Sequence, residues 1–118
     1  MRYLPPAFHY HTSGGKDLIL EYIDSLPKKQ SALGYAILDK LKKDGFDALE
    51  YLDTRHIKGK LWEIKFSKDN RIFYVAIEEK TIYLLHACKK QKDKAELFEM
   101  ETAEKRMKEI SPISKLLK

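Results

Sequence analysis

The sequence predicts an α+β fold, in which an N-terminal helical hairpin packs on a small antiparallel β-meander and a C-terminal helix follows. Two observations lead to this class. Between Leu61 and Cys88, three short segments rich in β-branched and aromatic residues are separated by polar turns. Before and after this stretch, apolar residues recur with the spacing of one helical face. The 118 residues are expected to form a single domain, 1–118, with a core that needs neither metal nor disulfide.

The first fifteen residues, 1–15, predict a short edge strand followed by a turn. Pro5 and Pro6 exclude a central strand, because proline has no backbone N–H to donate to a neighbouring strand. Ala7–His11 can still be extended at the edge of a sheet. A Ser-Gly-Gly turn then precedes the first helix.

Three helices are predicted. The first spans Lys16–Leu26 and the second Lys28–Lys43, with Pro27 at their junction and Gly45 just after the second. The third spans Asp93–Ile110. Their apolar stripes are Leu18, Ile19, Tyr22, Ile23 and Leu26 in the first helix, Leu33, Ile37, Leu38 and Leu41 in the second, and Leu97, Met100, Ala103, Met107 and Ile110 in the third.

Two segments outside the helices and the meander are expected to be irregular. The connection 46–56 should pack Leu49, Tyr51 and Leu52 inward and leave Arg55 and His56 outside. Pro112 stops the third helix, because proline cannot continue it. The tail 111–118 should fray or dock weakly.

The meander is expected to turn through two-residue turns at Asp69-Asn70 and Glu79-Lys80. These turns would pair Phe66 with Phe73 and Val75 with Leu84. Alternation then assigns a core face of Trp62, Ile64, Phe66, Phe73, Val75, Ile77, Ile82 and Leu84, and an opposite face of Glu63, Lys65, Tyr74, Ala76, Tyr83 and Leu85. The direction of Arg71 stays open, because a bulge or a longer loop beside it would reverse it.

Composition describes an ordinary globular protein and places its basic charge in one region. The whole chain carries +5, which permits a polyanionic partner without demanding one. The window 55–92 holds ten basic and four acidic residues, a net charge of +6, so the rest of the chain is close to neutral. A basic sheet with interspersed aromatic residues is a plausible nucleic-acid surface.

The expected location is the cytoplasm, with no membrane contact. The chain starts without a secretory signal, and its apolar runs are too short to cross a bilayer. The single cysteine, Cys88, excludes an intramolecular disulfide and fits a reducing compartment.

The candidate site is a cluster of cations with aromatic neighbours. The cations are Lys65, Arg71, Lys89, Lys90 and Lys92, and the neighbours are Tyr74, Tyr83 and His86. Each member also has a plainer explanation, since lysines at strand ends protect sheet edges and tyrosines often only pack. By the same reasoning, His86 is more readily a hydrogen-bonded structural histidine than a catalytic one, and Cys88 a buried small residue rather than a nucleophile.

No metal site and no cofactor are predicted. The four histidines are scattered along the chain, and Cys88 has no second cysteine with ligand spacing. Glycine patterns for nucleotide phosphates and the Gly-x-Ser-x-Gly elbow are absent from the sequence.

The order and spacing of several segments carry a family resemblance. They are Tyr22–Lys29, Leu41–Gly45, Leu61–Phe66, Asn70–Tyr74, Leu84–Lys90 and Ala103–Arg106. Through them the chain, from about residue 17 to 110, resembles the phage-derived HigB-like branch of the RelE/ParE toxin superfamily. It differs from the usual family pattern in having Cys88 where an aromatic residue stands and in lacking a proline shortly after it. The last helix offers Phe98 where some relatives have a tyrosine.

The resemblance implies a toxin of a type II toxin–antitoxin system that cleaves mRNA, usually on the ribosome, and is neutralised by a helix-turn-helix antitoxin. Family catalytic positions are basic residues on the central strands and just after the last one. They match Lys65, Arg71 and either Lys89 or Lys90 in this chain. Further RNA contacts are expected from Lys60, Tyr74, Tyr83, His86 and Lys92.

A metal-independent mechanism follows from these residue types. Attack by the RNA 2′-OH on the adjacent phosphate would leave a cyclic phosphate, with Arg71 holding the phosphate, Lys65 acting as base or clamp, and Lys89 or Lys90 as acid. Two alternatives stay open: a non-enzymatic ParE-like toxin that binds DNA gyrase, and a catalytically decayed relative that binds nucleic acid.

Overall fold

The computed structural model describes residues 5–110 and confirms the α+β class, with three helices and a five-stranded mixed sheet. The elements, in chain order, are β1 Ala7–His9, α1 Leu18–Asp24, α2 Lys28–Asp44, a 3₁₀ segment Gly45–Tyr51, β2 Asp53–Lys58, β3 Leu61–Phe66, β4 Asn70–Ile77, β5 Thr81–Lys89 and α3 Asp93–Glu109. The predicted helix stop at Pro112 and the tail lie outside the described residues. Within 5–110, no helix is both long and apolar enough to cross a membrane.

The sheet has the strand order β1-β5-β4-β3-β2. The predicted meander forms its centre, and strands β2 to β5 pair antiparallel. The expected edge strand near the N-terminus is confirmed over Ala7–His9, where β1 pairs parallel to β5. The sheet is therefore mixed, because this edge strand runs parallel to its neighbour while the predicted meander is antiparallel.

Strand β2 was not predicted. Its burial alternates weakly, since only Thr54 and Ile57 are partly buried, so it lacks the apolar periodicity that marks a strand. The expectation that Tyr51 packs inward is wrong, because this side chain is 73% exposed. Leu49 and Leu52 do pack against the core, as expected.

The helical hairpin forms close to its predicted bounds. Asp17 caps α1, its side chain accepting a hydrogen bond from the Leu20 N–H at 3.0 Å. Pro27 precedes the first residue of α2, and Gly45 ends that helix with a φ of +57°. One stripe position in α2 is corrected: Leu33 is 51% exposed, and the neighbouring Gly34 faces the core instead.

Both turns of the meander differ from the prediction and shift the register. The first loop is Ser67-Lys68-Asp69, with positive φ at its first two residues, and Phe66 pairs with Asn70. The second loop spans 78–80, with positive φ at Glu78 and Glu79, and Ile77 pairs with Thr81. A bulge then interrupts the β4–β5 ladder at Phe73/Tyr74. Serine, lysine and glutamate rarely adopt a positive φ, so the sequence did not indicate these loop conformations.

The new register gives the sheet two apolar faces. Helices α1 and α2 cover Ile64, Phe66, Ile72, Tyr74, Ile82 and Leu84. Helix α3 covers Leu61, Phe73, Val75, Leu85 and Cys88. The predicted core face is therefore wrong for Phe73 and Val75, which lie under α3, and the predicted opposite face is wrong for Tyr74 and Ala76, which lie on the hairpin side. Trp62 is 38% exposed, and Leu97 of the α3 stripe is 59% exposed.

Gly34 allows α2 to pack closely against both α1 and the sheet. A Cβ at this position would lie 2.9 Å from Ile23 Cγ2 and 3.3 Å from the Phe66 ring. We expect Gly34→Leu to lower the free energy of unfolding by about 1–3 kcal/mol, because overpacking outweighs the gain in helix propensity. Urea unfolding measures this, with Ala36→Leu on the exposed side of α2 as the control. Equal midpoints for the two variants would contradict the packing described here.

Candidate nucleic-acid interface

Several predicted cations lie at the same end of the sheet, where β3 ends, β4 begins and β5 ends. Lys65 pairs with Arg71, and Arg71 pairs with Cys88, so the three residues form one row across the central strands. Lys89 pairs with Asn70 in the next row, so the Lys89 side chain leaves the sheet on the hairpin side, where Asn70 contacts Tyr22 and Gln30, and not on the α3 side with Arg71. The Lys90 N–H donates to the Asp69 carbonyl at 2.7 Å, which fixes the chain just beyond β5.

Arg71 points toward α3, because the loop before it has three residues rather than two. Its side chain is only 3% exposed. Nη1 donates to Glu63 Oε2 at 3.1 Å, and Nη2 donates to Glu96 on α3. The guanidinium carbon lies 4.7 Å from the centroid of the Phe73 ring. Arg71 is thus enclosed between two carboxylates and an aromatic face.

The ion pairs extend into a chain of alternating charge. Glu63, whose side chain is 1% exposed, also receives Arg55 Nε at 2.9 Å. The order across the site is Arg55, Glu63, Arg71, Glu96. Burial pushes the pKa of Arg71 down, but its contacts with Glu96 and with the Cys88 thiol outweigh that effect, so the net shift is upward and the guanidinium stays charged.

Sequence reasoning missed both glutamates. The alternation of β3 places Glu63 with Lys65 on the face opposite the predicted core, and it gives no sign that Glu63 is buried there. Glu96 stands in the first turn of α3, where acidic residues commonly stabilise the helix N-terminus. An acid in the middle of a strand, flanked by Trp62 and Ile64, is the one signal that could have indicated a buried ion pair.

His86 lies in a second polar cluster beneath α3. Arg106 Nη1 donates to the Leu85 carbonyl at 3.0 Å and lies 3.1 Å from His86 Nδ1. Because an arginine can only donate, Nδ1 must accept, and the ring proton belongs on Nε2, which lies 3.4 Å from a Glu99 carboxylate oxygen. Burial lowers the pKa of His86, and the neutral ring fits the structural interpretation of this residue.

The fold also brings three metal-ligating side chains together. Ligand atoms of His86, Cys88 and Glu99 all lie within 4.8 Å of one another. Burial raises the pKa of the Cys88 thiol to about 12, so the sulfur keeps its proton near neutral pH. With Nε2 of the histidine also protonated, the cluster presents one carboxylate and two protonated groups. A cation bound here would have to displace the proton of the thiol and the proton of Nε2.

The other predicted RNA contacts are distributed over the molecule. Lys92 is exposed at the start of α3, close to the row of cations, but Lys60 lies at the far end of β3, about 16 Å of strand away from Lys65. Tyr74 is buried on the hairpin side, where burial raises its pKa to about 12. Tyr83 is half-buried and stacks on Phe8, with ring centroids 5.6 Å apart. Neither tyrosine presents a free face beside the row.

One comparison with known proteins identifies the family. The family described as phage-derived protein Gp49-like (DUF891) matches residues 21–108, which is 88 of the 118 residues. The chain belongs to this family. Gp49-like proteins are part of the RelE/HigB-like toxin clan, which places the chain in a toxin–antitoxin context. Among curated proteins, no match is found.

The buried ion pairs of this Gp49-like protein should be costly to break. We expect Glu63→Gln to lower the free energy of unfolding by about 3 kcal/mol or more, because Arg71 then keeps a single carboxylate partner in a buried site. Glu104→Gln is the control, since Glu104 pairs with the exposed Lys58 at 3.7 Å and should cost under about 1 kcal/mol. Chemical denaturation measures both. Similar losses in the two variants would count against a buried network.

Protonation of His86 should destabilise the fold in mild acid. Its folded-state pKa lies below the ordinary value of 6.5, so the unfolded chain binds more protons between the two values. Above pH 6.5 the titration of His86 should not lower the free energy of unfolding. As the pH drops below 6.5, the free energy of unfolding should fall, by at most about 1.4 kcal/mol per pH unit from this group. His86→Gln should flatten the profile, whereas His56→Gln, at an exposed histidine, should not. An unchanged slope in His86→Gln would contradict this.

Proposed function

We propose that this Gp49-like protein is the toxin of a type II toxin–antitoxin system, in the HigB-like branch, and that it cleaves mRNA without a metal ion, acting on the ribosome. The observation that carries the proposal is the row formed by Lys65 and Arg71 on adjacent strands, with Lys89 and Lys90 following at the same end of the sheet. A cognate helix-turn-helix antitoxin would be its neutralising partner.

The proposed reaction needs groups that manage charge and protons around one phosphate. The RNA 2′-oxygen attacks the adjacent phosphorus and loses its proton, the bond to the 5′-oxygen breaks, and that oxygen takes up a proton. Lys65 is the candidate base or clamp, and Lys89 or Lys90 is the candidate acid. Arg71 is assigned to the non-bridging oxygens, because its planar fork matches two oxygens at once.

Accessibility supports the lysines more directly than the arginine. Lys89, Lys90 and Lys92 are exposed, and Lys65 is partly exposed. These residues form the cationic edge that RNA would approach. Contacts of lysines with RNA phosphates do not depend on the base sequence of the RNA. Tyr74 and Tyr83 are left out of the proposed RNA surface because of their burial.

One observation favours the non-catalytic alternative. Arg71 is already paired with two carboxylates, which is what a purely structural arginine would show. A ParE-like toxin that binds DNA gyrase needs no phosphate site, so this alternative predicts DNA damage rather than RNA cleavage in cells that express the protein.

Substitution of Lys65 tests the proposed mRNA nuclease against the alternative of a toxin that binds DNA gyrase. We expect Lys65→Ala to slow mRNA cleavage by roughly 30- to 1,000-fold, since removing one preorganised charge contact costs about 2–4 kcal/mol of transition-state stabilisation. Primer extension on mRNA in a cell-free translation reaction measures the rate, with Lys42→Ala on the exposed side of α2 as the control. Arg71→Lys, which keeps the buried charge, is measured alongside. Undiminished cleavage in both site variants would remove the mechanism.

A further inference from the structure

We propose that Arg71 and the Gln91 backbone N–H form a phosphate-binding subsite that the chain fills with its own Glu96. In this conformation the Glu96 carboxylate stands in for an RNA phosphate. The identity of the ligand as RNA rests on the proposed function, but the subsite itself is defined by contacts within the molecule.

Two donors converge on one carboxylate oxygen. Arg71 Nη2 donates to Glu96 Oε1, and the Gln91 N–H donates to the same oxygen at 3.2 Å. The first donor belongs to a side chain that is 3% exposed, and the second is a backbone group just before α3. A buried guanidinium and a backbone amide aimed at one oxygen make a preformed site for an anion.

One donor of the subsite is left over when Glu96 fills it. Arg71 Nε is buried and makes no hydrogen bond among the described residues. Nε and Nη2 lie on the same edge of the guanidinium, which is the edge that binds two oxygens of one anion side by side. Glu96 contacts only Nη2 on this edge. A phosphodiester, with two non-bridging oxygens, can satisfy both nitrogens and remove the unpaired donor.

Charge balance also permits the exchange. A phosphodiester carries one negative charge, as does the Glu96 carboxylate, so replacing one by the other leaves the chain of ion pairs unchanged in total charge. Glu63 would keep its pairs with Arg55 and Arg71 throughout, because its side chain is 1% exposed. Glu96 is 23% exposed and has room to leave toward solvent. The two glutamates thus have different roles: Glu63 holds the arginine, and Glu96 occupies its binding edge.

A filled subsite lowers the apparent affinity for RNA, because binding includes the cost of displacing the internal carboxylate. The position of Lys89 and Lys90 just before Gln91 would bring the RNA backbone to the subsite by charge alone. The free protein is then a weak binder whose arginine becomes available only when a phosphate takes the place of Glu96.

The test measures binding of a 2′-O-methyl RNA oligonucleotide, which lacks the attacking hydroxyl and is not cleaved. Glu96→Ala should bind it about tenfold more tightly than wild type, because the competitor is gone. Glu101→Ala removes an exposed carboxylate from the same helix. Its affinity for the oligonucleotide should rise by less than about twofold, which is the screened effect of one lost negative charge. In an Arg71→Lys background, Glu96→Ala should lose most of its gain, because lysine lacks the two-nitrogen edge.

The outcomes separate this proposal from the proposed function. Equal affinity of Glu96→Ala and Glu101→Ala would overturn the subsite, whatever the cleavage assay shows. Tighter binding by Glu96→Ala together with no cleavage of unmodified RNA would support the subsite and refute the nuclease. Thermal unfolding of each variant checks the fold. If Glu96→Ala does not fold, Glu96→Gln, which weakens the contact by removing its charge, is compared with Glu101→Gln under the same criterion.

Discussion

The structure depends on a buried positive charge that is compensated from two sides. Arg71 lies between the sheet and α3, and a guanidinium in such a place is tolerated only when carboxylates accept its hydrogen bonds. Glu63 supplies one from the neighbouring strand, and Glu96 supplies the other from the helix. The ion pairs therefore hold the first turn of α3 against the same end of the sheet where the exposed lysines gather. Stability and the candidate chemistry therefore share Arg71.

The sequence predicted the elements better than their pairing. Apolar periodicity located all three helices and the meander, because burial on one face imposes a regular spacing. The register failed at two loops, where Ser67, Lys68, Glu78 and Glu79 adopt positive φ that only tertiary context can impose on such residues. Phe66 pairs with Asn70 rather than Phe73, and this shift by an odd number of residues reversed the faces of β4, which is why Tyr74 was expected on the face opposite the core and lies in the core. The polar edge strand β2 carried no pattern to detect.

The candidate site was predicted in part for a related reason. Basic residues stand out in a sequence, and their placement at one end of the sheet follows from strand order once a meander is assumed, although Lys89 lies on the other face from Lys65 and Arg71. Their partners do not stand out, since the contact between Arg71 and Glu96 joins a strand to a helix 25 positions later. Whether a cation is free or paired depends on such long-range contacts, and a single sequence without relatives to compare does not encode them visibly.

The parallel pairing of β1 sets the order in which the sheet can be completed. Ala7 lies beside Ile82, so the first strand to be synthesised has no neighbour until β5 has left the ribosome and turned back on β4. The meander, by contrast, closes through loops of a few residues and can assemble as soon as it emerges. Of the five strands in the described residues, the one that is made first is therefore the one whose partner is made last.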